Sequence, residues 1–504
     1  MSSQPAPDVP AGRPDRGLVV GFDLDMTLID TVPGFTAVLE ALGLELGIAF
    51  PVEAMTAQLG PPLEVLLADH LPAEDIAAAG DRFRAIYPDH AIASVPAFGG
   101  AHEALAAVRR HGGRTVVVTG KYPDNARLHI EHVGLDVDVL EGWVWGVGKA
   151  AALLREGASV YVGDHVHDVE GALAAGATSV SVLTGGCSRE ELLAAGTHVV
   201  LDDLSQFPAW LDGHVLATRL AALEADLRRL GSVLVAYSGG ADSALLLAAA
   251  VRALGPERVV AATGYSHSLP QSERDPARAF AESLGVEVLT PETNEMESAG
   301  YRANTGNRCF FCKAELIDVL GPLAAARGLA AVATGTNADD AVAGFRPGIR
   351  AAAERGAVTP LLDAGLTKEQ VRAASRQWGL PTWDKPASAC LSSRVAYGVE
   401  VTPHRLARVE RAEAEVRRLL EGSGLRNLRV RDLGERASVE VDAELLPLPA
   451  GRAEAVLDAV RRAGFAEAVL DPAGFRSGSL NAALAEDSPE APGRTPSPPA
   501  CPLS

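Results

Sequence analysis

The chain has 504 residues, 47% of them hydrophobic and 22% charged, proportions that exclude wholesale disorder and collagen-like structure. At roughly 150 residues per domain, this length predicts two or three domains. Acidic residues outnumber basic ones by 65 to 45, a formal charge of -20 that repels nucleic acid unless a local basic patch overrides it.

Only five of the basic residues are lysines: Lys121, Lys149, Lys313, Lys368 and Lys385. In so arginine-rich a chain, a lysine hints at a site that wants a compact point charge. The N-terminal stretch lacks the basic start and apolar core of a secretory signal, and no apolar run approaches the roughly 20 residues needed to span a bilayer. Five cysteines are too few for a disulfide framework and fit a reducing compartment. A cytoplasmic protein without a membrane partner is the expectation.

Residues 1–16 and 485–504 are rich in proline and are expected to be solvated tails; Cys501 lies in the second. From residue 17 the chain reads as strand Leu18–Phe22 and a helical stretch from about Pro33 to Ile92. Strands at Thr115–Val118, Val137–Leu140, Val160–Val162 and Val180–Leu183 then alternate with helices. A break is expected near Leu211–Val215, with a new amphipathic helix over Leu216–Leu230. The pattern restarts with strand Val233–Ala236, helix Ser243–Leu254, strand Val259–Ala262, helix Ser272–Leu284, strand Val286–Leu289, helix Ala314–Arg327 and strand Ala331–Thr334. From about Pro403 it changes to helix Leu406–Leu420, strands Leu428–Arg431 and Ala437–Val441, and helix Gly451–Ala463. Short apolar strands alternating with helices predict parallel sheets covered on both faces. The expected fold class is therefore α/β, with two doubly wound parallel-sheet domains followed by a small α+β domain. The expected bounds are 17–212, with a helical insertion over about 30–95, then 213–398 and 399–480.

Strand Leu18–Phe22 delivers Asp23-Leu24-Asp25-Met26-Thr27 at its carboxyl end, where open parallel sheets bind ligands. One carboxylate of such a pair can attack phosphorus while the other passes a proton to the leaving oxygen. Gly163-Asp164-His165-Val166-His167-Asp168 brings two more acids after another apolar strand. A cluster of this kind repels itself without a divalent ion, and hard oxygen ligands suit magnesium. Thr119 ends a strand and can hydrogen-bond a phosphate oxygen, which Lys149 can neutralise. A lone strand-end Asp is more often a helix cap, but the ordered set DxDxT, Thr, Lys, GDxxxD is not read that way. Over residues 17 to about 211 the chain resembles the haloacid dehalogenase superfamily of phosphatases. The resemblance implies Asp23 as the nucleophile that forms an aspartyl phosphate and Asp25 as general acid and base. It also implies Thr119 and Lys149 as phosphate ligands, with Asp23, Asp25, Asp164 and Asp168 around magnesium. The insertion after Thr27 looks like the cap of phosphoglycolate-phosphatase-like members, which act on small phosphorylated metabolites. His165 and His167 read as bystanders on an exposed loop.

Strand Val233–Ala236 runs through Tyr237 into Ser238-Gly239-Gly240-Ala241-Asp242-Ser243 at the start of a helix. Two glycines let backbone N–H groups close around an anion, the helix start adds a positive dipole end, and two hydroxyls add donors. The loop lacks the lysine of the G-x-x-x-x-G-K phosphate loop, which favours a reaction that forms a nucleoside monophosphate. SGGxDS resembles the pyrophosphatase-loop ATP enzymes, which activate an oxygen by adenylylation with loss of pyrophosphate. That resemblance implies ATP at Ser238, Gly239, Gly240, Asp242 and Ser243.

Three further strings choose within that group. They are Asn307-Arg308-Cys309-Phe310-Phe311-Cys312-Lys313, Thr334-Gly335-Thr336-Asn337-Ala338-Asp339-Asp340, and Trp383-Asp384-Lys385-Pro386-Ala387-Ser388-Ala389-Cys390-Leu391-Ser392-Ser393-Arg394. With them, about residues 215–480 closely resemble the ATP-dependent sacrificial sulfur transferases that assemble the nickel pincer nucleotide of lactate racemase. The resemblance implies a nucleotide substrate, pyridinium-3,5-dicarboxylic acid mononucleotide, whose carboxylates are adenylylated and then converted to thiocarboxylates. Some members carry only the cysteine equivalent to Cys390, which gives up its own sulfur and is left as dehydroalanine. Here Cys309 and Cys312 stand beside it in the motif set. Three thiolates can hold three irons of a 4Fe–4S cluster and leave the fourth open to hydrosulfide; a structural zinc or a redox pair is the rival reading. Isolated Cys187 is read as incidental.

Arg429-Val430-Arg431 lies on a predicted strand, where alternate residues face one side and two guanidiniums can grip a phosphate; an ordinary solvated face is the plainer alternative. By resemblance Lys313, Ser393, Arg394, Arg429 and Arg431 bind the substrate phosphate, while Glu413 and Glu440 hold a metal ion or the substrate. The segment Glu415–Gly424 is longer than the family's usual spacing, which puts the Glu413 role in doubt. A homo-oligomer is implied. The expected protein is a magnesium phosphatase fused to an ATP-dependent sulfur transferase, with cofactors ATP, magnesium and a 4Fe–4S cluster. The alternative is a tRNA thiolation enzyme or another carboxylate-adenylylating amide synthase with the first domain as a scaffold. An RNA face would need basic clusters with interleaved aromatics, which the chain lacks.

Overall fold

The structure, a computed structural model, describes residues 17–56, 62–342, 346–386 and 389–476. The expected tails at 1–16 and 485–504, with Cys501, lie outside the described residues, as do Ala387, Ser388 and 477–480. The chain parts into two compact units between Thr218 and Arg219.

The first unit is built on six parallel strands: β1 (Val19–Phe22), β2 (Arg114–Val118), β3 (Val139–Glu141), β4 (Val160–Gly163), β5 (Thr178–Val182) and β6 (Val199–Leu201). Their order is β3-β2-β1-β4-β5-β6. Every residue of β1, β4 and β5 is buried, as their nearly continuous apolar runs predict for strands covered on both faces. The chain builds outward from β1 to β3 and then crosses back to start β4 on the other side of β1. The loops after β1 and β4 therefore diverge and leave a crevice at the strand ends.

The insertion after β1 folds into helices Val32–Leu46, Val52–Thr56, Leu63–Leu67 and Ile76–His90. They close on a core of their own that includes Phe35, Leu39, Leu67, Phe83 and Tyr87. Pro33 opens the first helix and Gly47, at φ 68°, ends it, each where its backbone preference is free of cost.

In the second unit β7 (Val233–Ala236), β8 (Val259–Ala262), β9 (Glu287–Leu289) and β10 (Ala331–Thr334) form a parallel sheet in the order β10-β7-β8-β9. Helix Ala241–Leu254 buries every residue from Ser243 to Ala250, so its all-round apolar sequence matches a helix enclosed by neighbours. A third sheet pairs β11 (Leu428–Asp432) antiparallel with β12 (Arg436–Val441), and β12 parallel with β13 (Glu467–Leu470). Its core draws Leu406 and Val409 from helix Pro403–Leu419 and Val456 and Val460 from helix Ala450–Arg462.

The helix expected to begin at Leu216 begins at Phe207 and runs to Leu230, and the two units part within it, after Thr218. Phe207, Leu211 and Val215 pack into the core of the first unit, and Leu220, Leu223 and Leu227 are buried beyond them. The burial of Phe207, Leu211 and Val215 in that core outweighs Gly213, whose cost inside a helix is only about 1 kcal/mol. Strands β6 and β13 were not expected, because three or four residues with half-exposed neighbours carry too short a pattern.

Asp432, wholly buried on β11, accepts hydrogen bonds from Arg408 at 2.7 and 3.0 Å and from Arg405 at 2.9 Å. Removing this carboxylate leaves the Arg408 charge buried and unanswered. Asp432→Ala is expected to destabilise the C-terminal layer by about 3–5 kcal/mol, read as a lower denaturant midpoint in the unfolding of the full chain.

Candidate functional sites

All six residues expected at the first site, Asp23, Asp25, Thr119, Lys149, Asp164 and Asp168, line one cavity of about 190 Å³. Asp23 and Asp25 follow β1, Thr119 follows β2, Asp164 follows β4, and Lys149 and Asp168 sit in the first turns of helices Gly148–Glu156 and Val166–Ala174. Carboxylate oxygens of Asp23, Asp164 and Asp168 gather within 4.8 Å of one another. Lys149 Nζ donates to Asp23 Oδ1 and Asp168 Oδ1, both at 2.6 Å, and Thr27 Oγ1 donates to Asp164 Oδ1 at 2.8 Å. One ammonium thus answers three buried carboxylates. Burial raises Asp23 to about 7 against the lowering pull of Lys149, and burial with Asp168 and Asp23 nearby pushes Asp164 well above the carboxylate range.

The expected set of four carboxylates closes to three. The Asp25 carboxylate is outside the group because Lys121 Nζ draws it away at 2.5 Å, with Thr119 Oγ1 at 3.4 Å. Lys121 had no assigned role, and its only sequence signal was its rarity. Against the effect of burial, Asp25 and then Tyr87 hold Lys121 above the ordinary lysine range. His165 and His167 also line the cavity, their ring centroids 4.7 Å apart.

In the second unit, one cavity of about 390 Å³ is lined by Ser238, Gly240, Asp242, Ser243, Cys312, Lys313 and Cys390 among others. Gly239 has φ 74°, and a Cβ there would sit 2.8 Å from Ala277 Cβ, so the turn requires glycine twice over. Ser243 Oγ accepts from Ser238 N at 3.2 Å and lies 3.1 Å from Ser238 Oγ, tying the two ends of the loop together. Gly335 lets its strand end approach: a Cβ there would be 2.9 Å from Ser243 N. Burial raises Asp242, which accepts from Asn337 Nδ2 at 2.9 Å.

Cys309 and Cys312 are one turn apart at the start of helix Arg308–Ala326, with Cys309 exposed. Burial and then the nearby Cys390 push the Cys312 thiol well above its usual value. Cys390 Sγ lies 3.0 Å from Ser392 Oγ. Lys313 has no hydrogen bond or ion pair among the described residues, and burial lowers its pKa. Lys385 was unassigned too; its Nζ donates to Gly239 O at 2.9 Å and to Glu273 at 2.6 Å, bracing the glycine turn. Tyr301 and Ser268, hydrogen-bonded to each other beside this cavity, carried no sequence signal at all.

The remaining expected residues form a buried cluster apart from the cavity lining. Arg394 pairs with Glu413 through Nε at 3.0 Å and Nη2 at 3.3 Å, and its Nη1 donates to the carbonyls of Ala389 and Cys390. Arg431 pairs with Glu440 at 2.8 Å and donates to Ser393 O at 3.2 Å. Burial and then Arg394 lower Arg429 to about 10. The plain alternative of a solvated arginine face is overturned, since Arg429 and Arg431 are both buried. In this cluster Glu413 answers Arg394, Glu440 answers Arg431, and Arg394 also holds the Cys390 turn.

Residues 20–173 match the haloacid dehalogenase-like hydrolase family, and residues 147–207 match a second, HAD-hydrolase-like family. An uncharacterized protein of Synechocystis is 41% identical over 275 residues, 54% of this chain and 99% of that protein. The pyridinium-3,5-bisthiocarboxylic acid mononucleotide synthase of Lactiplantibacillus plantarum is 36% identical over 276 residues, 53% of this chain and 96% of the synthase. The phosphoglycolate phosphatase of Rhodospirillum rubrum is 31% identical over 216 residues, 38% of this chain and 89% of the phosphatase.

Behind the first cavity, Tyr87 Oη meets His129 Nε2 at 2.9 Å, and burial, then Lys121, lower His129 to about 3. Between about pH 3 and 6.5 the unfolded chain binds a proton that the folded chain does not. The stability held by neutral His129 is therefore complete above about pH 6.5 and falls as pH drops towards 3. His129→Gln is expected to flatten this slope by about one proton, read from urea midpoints of both proteins across that pH range. Gly239→Ala is expected to destabilise the second unit by at least about 1–2 kcal/mol through left-handed strain and the Ala277 contact, read as a lower denaturant midpoint of the full chain.

Proposed function

We propose, from the premise that this chain belongs both to the haloacid dehalogenase-like hydrolases and to the family of the pyridinium-3,5-bisthiocarboxylic acid mononucleotide synthase, that it is a fusion of two enzymes. The second unit is an ATP-dependent sulfur transferase that converts the carboxylates of pyridinium-3,5-dicarboxylic acid mononucleotide to thiocarboxylates. The first is a magnesium-dependent phosphatase for a small phosphorylated metabolite. The observation that carries the transferase assignment is the cavity in which the glycine turn meets Cys312, Lys313 and Cys390. Activation and sulfur delivery then share one space.

In this reading the N–H groups of the turn and the start of helix Ala241–Leu254 hold the triphosphate. A substrate carboxylate oxygen attacks the α-phosphorus and pyrophosphate leaves. A sulfur nucleophile then attacks the acyl carbon and AMP leaves, a far better leaving group than the oxide a free carboxylate would expel. Lys313, which has no hydrogen bond or ion pair among the described residues, is suited to the substrate's own phosphate. The sulfur comes either from Cys390 itself or from hydrosulfide. Three soft thiols are the donor type of an iron–sulfur cluster, for which Cys309, Cys312 and Cys390 are the candidate ligands. Among the described residues they do not gather within the 4.8 Å span of a single-ion site, as zinc with Zn–S bonds of about 2.3 Å would require.

At the first site, Asp23 attacks phosphorus and Asp25, held by Lys121, protonates the leaving oxygen and later activates water. Lys149 and Thr119 position the phosphoryl oxygens. The trio Asp23, Asp164 and Asp168 has the hard oxygens and the spacing that suit magnesium, which when bound offsets the negative charge of the phosphoryl group.

Incubating the full chain with ATP, magnesium and the pyridine dicarboxylate nucleotide is expected to release AMP and pyrophosphate in step with thiocarboxylate. Absence of both products would falsify the transferase reading. Mass spectrometry of Cys390 after turnover distinguishes the sources: loss of H2S marks Cys390 as donor, and an intact residue with bound iron and sulfide marks the cluster. Asp23→Asn is expected to abolish phosphate monoester hydrolysis and leave AMP formation intact.

A further inference from the structure

We propose that the phosphatase site takes a phosphate monoester whose alcohol carries a planar aromatic ring, as in a nucleoside monophosphate, and that Tyr122 and Trp143 receive that ring. This rests on the reading of Asp23 as a phosphatase nucleophile and adds to it a class of substrate.

Tyr122, Trp143 and Trp145 line the same cavity as Asp23. They come from the loops after β2 and β3 at the carboxyl edge of the sheet. Trp143 meets Tyr122 at a centroid distance of 5.6 Å and 87° between planes, and Trp145 at 4.9 Å and 71°. Edge-to-face contacts of this kind leave ring faces uncovered by one another. Tyr122 is 42% exposed and Trp143 46% exposed, so these rings are not there to fill a core. Partly exposed aromatic side chains that line a cavity are the kind of surface that receives an apolar part of a ligand.

The backbone points the same way. Trp143 has φ 64°, a left-handed conformation that is an outlier for so bulky a residue and is found where function holds it. Trp143 N donates to Lys121 O and Val144 N to Thr119 O, both at 3.0 Å. The residues that touch Asp25 therefore also set the position of the Trp143 ring.

Charge excludes the simplest alternative. A small phosphorylated acid would need a free cation for its second anionic group. Of the lysines and arginine that line the cavity, Lys149 pairs with Asp23 and Asp168, and Lys121 with Asp25. Arg84 pairs with Glu64 and Asp81 and lies 4.9 Å over the Trp143 ring. Among the described residues, away from the carboxylates the lining offers ring faces and the imidazoles of His165 and His167, with each lysine and arginine already paired.

The test compares two substrates with the same sugar phosphate, nicotinamide mononucleotide and ribose 5-phosphate, on the full chain with magnesium and without ATP. Asp23→Asn assigns the released phosphate to this site. The expected kcat/KM is at least about fivefold higher for the ring-bearing ester, the lower end of base–aromatic stacking. Trp143→Gly accepts the left-handed backbone and removes the ring; it is expected to bring the ratio close to one by raising KM for the nucleotide, and Trp143→Phe to restore most of it. Equal kcat/KM for both substrates in the wild type overturns the inference and leaves the phosphatase reading standing. An equal loss on both substrates in Trp143→Gly also overturns it, since Trp143 would then serve only as a rest for Arg84. Hydrolysis of neither substrate by the wild type overturns the phosphatase reading and this inference together.

Discussion

Both cavities depend on one constraint of parallel sheets: where the strand order reverses, two neighbouring strands send their chains to opposite faces, and the gap between them stays open. In the first unit the reversal lies between β1 and β4, and Asp23 and Asp164 leave the sheet on its two sides. In the second it lies between β7 and β10, from which Ser238 and Gly335 depart. The glycines follow from crowding there. Gly239 permits a left-handed turn against Ala277, and Gly335 lets a neighbouring loop approach the helix start.

Within these gaps the chemistry is set by how few cations answer the buried carboxylates. Lys149 alone faces Asp23 and Asp168, with Asp164 beside them, and the remaining negative charge suits a divalent ion and an incoming phosphoryl group held by it. Lys121 holds Asp25, whose carboxylate lies outside the trio of Asp23, Asp164 and Asp168. The C-terminal layer solves a similar problem differently. There Arg394, Arg408 and Arg431 each meet a buried carboxylate through two or more hydrogen bonds or ion-pair contacts, a match of planar shapes that lysine cannot make. This division is consistent with lysine surviving at the two cavities in a chain that otherwise favours arginine.

The first unit also shows how a shared hydrolase scaffold acquires its own character. Asp23, Thr119, Lys149, Asp164 and Asp168 ride on strand ends and helix starts, while the rings of Tyr122 and Trp143 sit on connecting loops. Loops can change side chains without disturbing the sheet, so the edge of the cavity can be specialised while Asp23 and Lys149 stay in place. The helical insertion closes around its own core, and Arg84 from that insertion meets Trp143.

The amino-acid order by itself determined the α/β class, the strands β1, β7, β8 and β10 nearly to the residue, and the local strings around Asp23, Asp164, Ser238 and Cys390. Each of these is a short-range pattern: apolar runs of strand length, then a turn whose chemistry is written in adjacent residues. Only the tertiary structure decided that Lys121 belongs to Asp25, that Lys385 braces Gly239, and that Glu413 and Glu440 answer Arg394 and Arg431. It also decided that Phe207–Leu230 is one helix and that the three-residue β6 joins the sheet. These outcomes depend on which distant side chains share a low-dielectric space, where an unanswered charge costs several kcal/mol, and spacing along the chain carries no record of that.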